Sequence, residues 1–396
     1  MRPHGYAGAE PGNGYRDSLA NVAVDGNKCL HKLNHIMDRN EMNFSSSDSD
    51  DEFAMIVIGI LPKERVYRNR NDPLVEYDDA DFVRRFRLSK DSFSEVLFLI
   101  RDQILHRTSR SYALPPHLQL LIALRFYATG AFQAVIGDHI HVHKSTVCRT
   151  VKCVSRAIAS MRPNYIKMPN TTQDIITAST MFYNIRQFPR VLGAVDGTHI
   201  RIQCPNKDVG ERYRNRKGFF SFNVQGVSDA KLEFLDIVAK RPGSVHDSTV
   251  FDNSLLRARF ENNEFGDSVL LGDGGYQCKN YLLTPLLNPT SVGEKRYQKA
   301  QISTRNVVER TFGIWKRRFP ALSLGIRTTP QTALIIITAT AILHNILRRR
   351  NDIPPENEDD HTDITEIQSG ELPAVQLRKS GNAVRLHFIN SYFSDN

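Results

Sequence analysis

Apolar residues recur at three- and four-residue intervals from Asp79 to Leu105, where Phe82, Phe86, Phe93, Val96, Leu97, Ile100 and Ile104 would line one side of a helix pair and Ser89 would cap the second helix. The spacing returns after the helix entry Pro115-Pro116, in Leu118, Leu121, Ile122, Leu124 and Phe126, and stops at Ala128-Thr129-Gly130. A short helix from Ala131 to about Asp138 follows, then a longer one from His143 to about Met161 carrying Val147, Val151, Val154 and Ile158. Three helices with short turns suit a helix-turn-helix, in which Lys144, Ser145, Thr146 and Arg149 would face bases and phosphates at the start of the last helix. A plain helical bundle packed on a larger domain meets the same pattern.

From Val191 the period changes. Val191–Val195, Phe219–Val227, Leu232–Val238 and Val269–Gly272 are rich in β-branched and aromatic residues and read as strands; helical spacing resumes at about Arg305–Phe319 and Thr332–Leu347. Strands followed by helices predict an α/β or α+β layer. The Thr332–Leu347 stretch carries His344 and Asn345 and falls short of the roughly 20 residues of a membrane span, so a buried core helix is expected and no membrane contact.

The flanks look different. Residues 1–54 are rich in Gly, Asn, Ser and Asp, and the run Ser45–Glu52 cannot bury a core, which predicts a disordered, solvated tail; a phosphorylation site is the alternative for its serines. The short apolar run Met55–Leu61 has no evident role. After Arg350 the chain turns acidic and holds Pro354-Pro355, so the fold is expected to end there. The expected organisation is a tail over 1–54, a helical region over 79–165, an α/β region over 185–350 and a C-terminal tail over 351–396.

Composition narrows the class. A chain of 396 residues, 40% hydrophobic, can bury a core and suggests two folded units. Lys and Arg number 52 against 43 Asp and Glu, a formal charge of +9 that suits a polyanionic partner, although ordinary surface charge gives the same count. Cys29, Cys148, Cys153, Cys204 and Cys278 are odd in number and never in a Cys-x-x-Cys pair, which argues against a disulfide framework or a zinc finger and for a reducing, intracellular compartment. Met1–Leu30 lacks the unbroken apolar core of a signal peptide.

Acids placed after apolar strands are the candidate chemistry, because a carboxylate there is costly unless it serves something. Asp196 follows Val191-Leu192-Gly193-Ala194-Val195 and precedes Gly197; Asp273 follows Val269-Leu270-Leu271-Gly272 and precedes Gly274-Gly275-Tyr276. Both are expected at strand ends, where an ordinary turn Asp is the alternative. Glu309 neighbours the apolar helical face of Val308, Phe312 and Trp315 and can point toward the sheet. Asp247, in Pro242-Gly243-Ser244-Val245-His246-Asp247-Ser248, would complete a metal shell or cap a helix starting near Ser248. Hard divalent ions prefer such carboxylate oxygens and can stabilise phosphodiester displacement without a covalent protein nucleophile. His199 and His246 are expected to be hydrogen-bonded structural residues. Arg212, Arg214, Arg216 and Lys217, with Arg305, Arg310, Lys316, Arg317 and Arg318, would contact phosphate or form solvated faces.

These segments, with Asn306-Val307-Val308-Glu309-Arg310-Thr311-Phe312-Gly313, resemble the Harbinger transposases and the nucleases domesticated from them. The resemblance spans about Asp81 to Arg350, and Ala123–Gly130 resembles that family's helix-turn-helix segment. It implies a ribonuclease-H-like catalytic domain, a mixed sheet flanked by helices, behind an all-α helix-turn-helix-like region. Its catalytic triad would be Asp196, Asp273 and Glu309, with Asp247 as a fourth ligand for Mg²⁺ or Mn²⁺. It implies a DNA substrate and a Myb-like DNA-binding partner, and leaves a homo-oligomer open. A nuclear location, with the cytoplasm as alternative, follows from the substrate and the clusters Lys316–Arg318 and Arg348–Arg350. The competing readings are a co-opted DNA-binding or scaffold protein that does not cut, and a metal phosphoesterase for small molecules.

Overall fold

Side-chain caps set most of the helix boundaries in the N-terminal half. In the computed structural model, which describes residues 70–106, 113–205, 208–352 and 379–394, α1 (Asp79–Phe86) starts where the Asp78 carboxylate accepts from Asp81 N at 2.7 Å. The Ser89 hydroxyl starts α2 (Lys90–Ile104) by accepting from Ser92 N at 3.2 Å, as the sequence suggests. Pro116 opens α3 (Pro116–Thr129), and Gly130 closes it in the left-handed conformation at φ 59°, where a side chain would be strained. Then come α4 (Gln133–Ile140), α5 (Lys144–Ser160) and α6 (Thr172–Arg186). The expected tail over 1–54 and the run Met55–Leu61 lie outside the described residues.

Five strands follow: β1 (Val191–Arg201), β2 (Ser221–Ser228), β3 (Phe234–Pro242), β4 (Val269–Leu271) and β5 (Leu282–Leu283). They form one mixed sheet in the order β3-β2-β1-β4-β5, antiparallel from β1 to β3 and parallel from β1 to β5. Between β3 and β4 lie the short helices α7 (Asp247–Asp252) and α8 (Leu255–Glu261); after β5 come the long helices α9 (Val292–Arg318) and α10 (Pro330–Arg349). The two faces of the sheet send residues to two cores, with an irregularity between Val191 and Gly193 interrupting the alternation of β1. Leu192, Val195, Val227 and Leu270 meet Phe251, Leu256 and Phe260 of α7 and α8, while Val191, Ala194, Val224 and Leu271 meet Phe312, Trp315, Ile336 and Leu343 of α9 and α10. A mixed sheet flanked by helices is the architecture the ribonuclease-H-like reading requires.

Three expectations change. The helical region and the sheet are not separately cored: a single apolar cluster runs from Phe82 through Val151 and Ile158 to the α10 side chains. The cause is α10, apolar on nearly all sides, which takes β3 on one flank and α5 on the other. At 20 residues α10 also reaches membrane-span length and composition, but most of it is buried inside the fold. His344 Nε2 donates to Leu232 O at 2.8 Å, and the Asn345 side chain brackets Phe234, accepting from its N–H and donating to its carbonyl, both at 2.8 Å. It is a core helix, as its polar residues suggest. Finally, the fold does not end near Arg350. A C-terminal helix α11 (Lys379–Tyr392) buries Phe388 and Ile389, and with Phe393 joins a ring cluster with Phe188 and Tyr297 at centroid separations of 5.4–6.1 Å.

Candidate active site

β1 does not stop at Asp196. Pairing with β2 carries it on to Arg201, opposite Ser221, so Asp196 lies inside the strand rather than at its end. The neighbour that does stop is β4. Its last residue, Leu271, pairs with Ala194 in parallel register, and two residues beyond that pair come Asp196, still within β1, and Asp273, in the turn after β4. Equal offsets from a parallel pair set the two acids side by side, where β1 runs on past the end of β4. Asp273 is held in a turn: Gly275 N donates to its carboxylate at 3.0 Å and Tyr276 N to its carbonyl at 3.3 Å.

Asp247 is the first residue of α7, whose N-cap is His246, so its side chain is not the cap. It accepts instead from Asn223 Nδ2 at 2.6 Å, and the same amide donates to Val245 O at 2.7 Å, fixing the loop to β2. The carboxylate rests against Gly197: a Cβ on that glycine would lie 2.1 Å from Asp247 Oδ1. Only glycine lets the loop approach the strand beside Asp196 so closely. Glu309 comes from α9, which crosses the other face of the sheet, and Arg305 one turn earlier on the same helix bridges to it. The Arg305 guanidinium stands 2.6 Å from Glu309 and 3.6 Å from Asp196.

Crowded, half-buried carboxylates are costly to charge. The Asp196 carboxyl is raised to about 7, chiefly by burial, with the charges of Asp273 and Asp247 adding to the rise and the Arg305 cation and the Gly197 N–H opposing it. Asp273 is also raised, chiefly by burial, with Asp247 and Glu309 adding to the rise against Arg305. The charges of Asp273 and Asp247 thus reach Asp196, and those of Asp247 and Glu309 reach Asp273. Among the described residues, however, no three His, Cys, Asp or Glu side chains converge closely enough to enclose a metal ion, and Arg305 lies between two of the four acids. The donor set still fits a hard divalent cation: only oxygen ligands, more negative charge than one guanidinium offsets, and a cleared strand position at Gly197.

The other candidates divide. His199 Nδ1 pairs with Ser221 Oγ at 3.0 Å in a half-buried site that lowers its pKa, a structural role as expected, and the His246 ring meets Arg216. Arg212, Arg214, Arg216 and Lys217 are exposed on the loop before β2, where Arg214 is paired with Glu211. Lys316 and Arg318 are not surface cations. Lys316 Nζ donates to Thr198 Oγ1 at 2.6 Å and His199 O at 3.1 Å, and burial lowers its pKa to about 8. Arg318 is almost wholly buried in an ion pair with Asp352, so of the expected Lys316–Arg318 cluster Arg317 alone is exposed, and neither Lys316 nor Arg318 is available to phosphate or to an import receptor. Sequence reasoning missed Asn223 and assigned Arg305 to phosphate. Polar Ser221, Asn223 and Gln225 at every second position of β2, among Phe222, Val224 and Val227, were the available signal for Asn223.

Residues 195–345, a span that takes in all four acids, match the family described as DDE superfamily endonuclease. The protein named "Putative nuclease HARBI1" is 33% identical in Mus musculus over 281 residues, 67% of this chain and 80% of the relative. Its Xenopus laevis counterpart is 34% identical, covering 72% and 83%. "Protein ALP1-like" of Arabidopsis thaliana is 24% identical over 72% and 73%. The chain belongs to the Harbinger-derived DDE nuclease family. No solved structure matches it.

Proposed function

We propose that the chain is a divalent-metal-dependent nuclease, domesticated from a Harbinger transposase, that hydrolyses DNA phosphodiester bonds. The observation that carries this reading is the parallel register Ala194↔Leu271, which sets Asp196 and Asp273 abreast beside the Gly197–Asp247 contact. Asp196, Asp273 and Glu309 are the catalytic acids, and with Asp247 they would hold Mg²⁺ or Mn²⁺, which when bound supplies Lewis-acid stabilisation of charge at the phosphate. Asn223 keeps the Asp247 carboxylate turned toward β1. Arg305 offsets part of the negative charge at Asp196 and Glu309, and must give up at least one of these contacts for both acids to reach a cation. Exposed Arg216 and Lys217 lie on the approach beside His246, where they can take phosphate.

DNA is gripped at a second place, the helix-turn-helix-like α3–α5. The outward side of α5 exposes Lys144, Ser145, Arg149, Lys152 and Arg156 while Val147, Val151 and Val154 face inward. A Myb-like DNA-binding partner, a homo-oligomeric assembly and a nuclear location belong to the same reading. A second reading, a DNA-binding or scaffold protein that does not cut, draws support from Arg305 standing between Asp196 and Glu309. Cleavage of labelled DNA with Mg²⁺ or Mn²⁺ decides: cutting should disappear in Asp196→Ala, Asp273→Ala and Glu309→Ala while DNA binding persists. Wild-type protein that binds DNA and never cuts, with a candidate partner present, would establish the second reading.

A further inference from the structure

Several buried polar atoms beside these acids have no hydrogen-bond partner: both amide atoms of Gln225, the Tyr276 hydroxyl and Asn223 Oδ1. Gln225 is 1% exposed and Tyr276 4%, and leaving such groups unpaired costs about 1–3 kcal/mol each. Their placement is specific. Gln225 pairs with Gly197 across the β1–β2 ladder, and the Asp247 carboxylate occupies the place of the side chain Gly197 lacks, so the amide and the carboxylate are neighbours on one face. Tyr276 ends the turn that begins at Asp273, and its ring meets Phe251 of α7 edge-on at 5.9 Å. The hydroxyl thus belongs to the space between the Asp273 turn and the helix that opens with Asp247, and Asn223 closes the same space from β2.

Cations of the Mg²⁺ class give up their water reluctantly, and the water that remains needs hydrogen-bond partners from the protein. We propose that Tyr276 and Gln225 are positioning residues for the hydration shell of a divalent cation bound at Asp247 and Asp273, their polar atoms being kept unpaired for it. This rests on the nuclease reading of the site and adds to it two residues that touch neither substrate nor metal. It also accounts for why the face of β2 toward α7 carries polar side chains in a buried strand.

The test is Mn²⁺ affinity by titration calorimetry on the full chain, with metal-free melting temperature measured in parallel, for wild type, Tyr276→Phe, Gln225→Leu and Asp273→Asn. Loss of an outer hydrogen-bond partner should weaken Mn²⁺ binding about tenfold in Tyr276→Phe and in Gln225→Leu. The metal-free melting temperature should stay level or rise, since an unpaired buried polar group has been removed. Affinity within about twofold of wild type in both variants would overturn the proposal, given that outer-shell losses usually reach at least tenfold. So would weaker binding matched by a lower metal-free melting temperature, the mark of a merely structural role. Mn²⁺ binding by Asp273→Asn equal to wild type would instead overturn the metal site itself, and the proposal with it.

Discussion

Two arginines on α9, Arg305 and Arg318, each meet a carboxylate, and their surroundings could hardly differ more. Arg318 binds Asp352 at 3.0 Å and donates to Arg87 O at 2.9 Å, and the other oxygen of Asp352 accepts from Ser92 Oγ at 2.6 Å and from Ser89 Oγ and N at 2.9 and 3.0 Å. Burial alone would raise the Asp352 pKa, but the hydrogen bonds from Ser92 and Ser89 and the Arg318 charge hold it below the usual value. Arg305 meets Asp196 and Glu309 with Asp273 and Asp247 behind them, and Asp196 is raised to about 7 in spite of it. One cluster is complete as folded and ties α2 to the ends of α9 and α10. The other carries surplus negative charge that a divalent cation would relieve.

The contrast is broken most directly at Arg318. Arg318→Met should cost about 3–5 kcal/mol in denaturant unfolding, because Asp352 is left charged and buried, and added Mg²⁺ should recover none of it. His344 tests a buried group of the opposite kind, one kept neutral. Its folded pKa is lowered to about 3 from 6.5, chiefly by burial, so the unfolded chain takes up the proton first as pH falls. The stability it permits is fully present above about 6.5 and is lost progressively toward about 3; wild type should lose about 2–3 kcal/mol more than His344→Gln between pH 7 and 4.5, in unfolding curves at the two pH values. Arg305→Met should cost no more than about 1–2 kcal/mol without metal, since Asp196 can take up a proton instead, and its melting temperature should gain more from Mg²⁺ than that of wild type. A variant that gains less would show that Arg305 helps to hold the cation. The smallest expected effect concerns the exposed cations of α5: Lys152→Ala and Arg156→Ala should each lower the salt slope of DNA binding by about one, read from binding isotherms at several salt concentrations.

The helices of the N-terminal half were legible because apolar spacing, Ser89, Pro116 and Gly130 all mark the same boundaries. Asp196 and Asp273 were legible as acids following apolar runs. The continuation of β1 was not, because Asp196-Gly197-Thr198-His199 is polar and only half-buried; it stays extended through pairing with β2, a partner fixed by tertiary structure. Arg305 read as a phosphate contact for the same reason: a basic residue one helical turn from Glu309 has the same spacing whether it points out or toward β1. Helix α11 was hidden by the acidic, proline-bearing stretch before it, and its stabilising contacts are rings at positions 188 and 297, far away in the chain.

The parallel register of β1 and β4 also sets what lengths evolution can vary. The connection from β3 through α7 and α8 can gain or lose residues before Val269 without disturbing the alignment of Asp196 with Asp273, since that alignment is read from Ala194 and Leu271 alone. A single residue inserted between Leu271 and Asp273 would carry the second acid, with the turn that Gly275 N and Tyr276 N close on it, one position away from Asp196. Length differences among relatives should therefore gather in the connection and be absent from these two-residue steps.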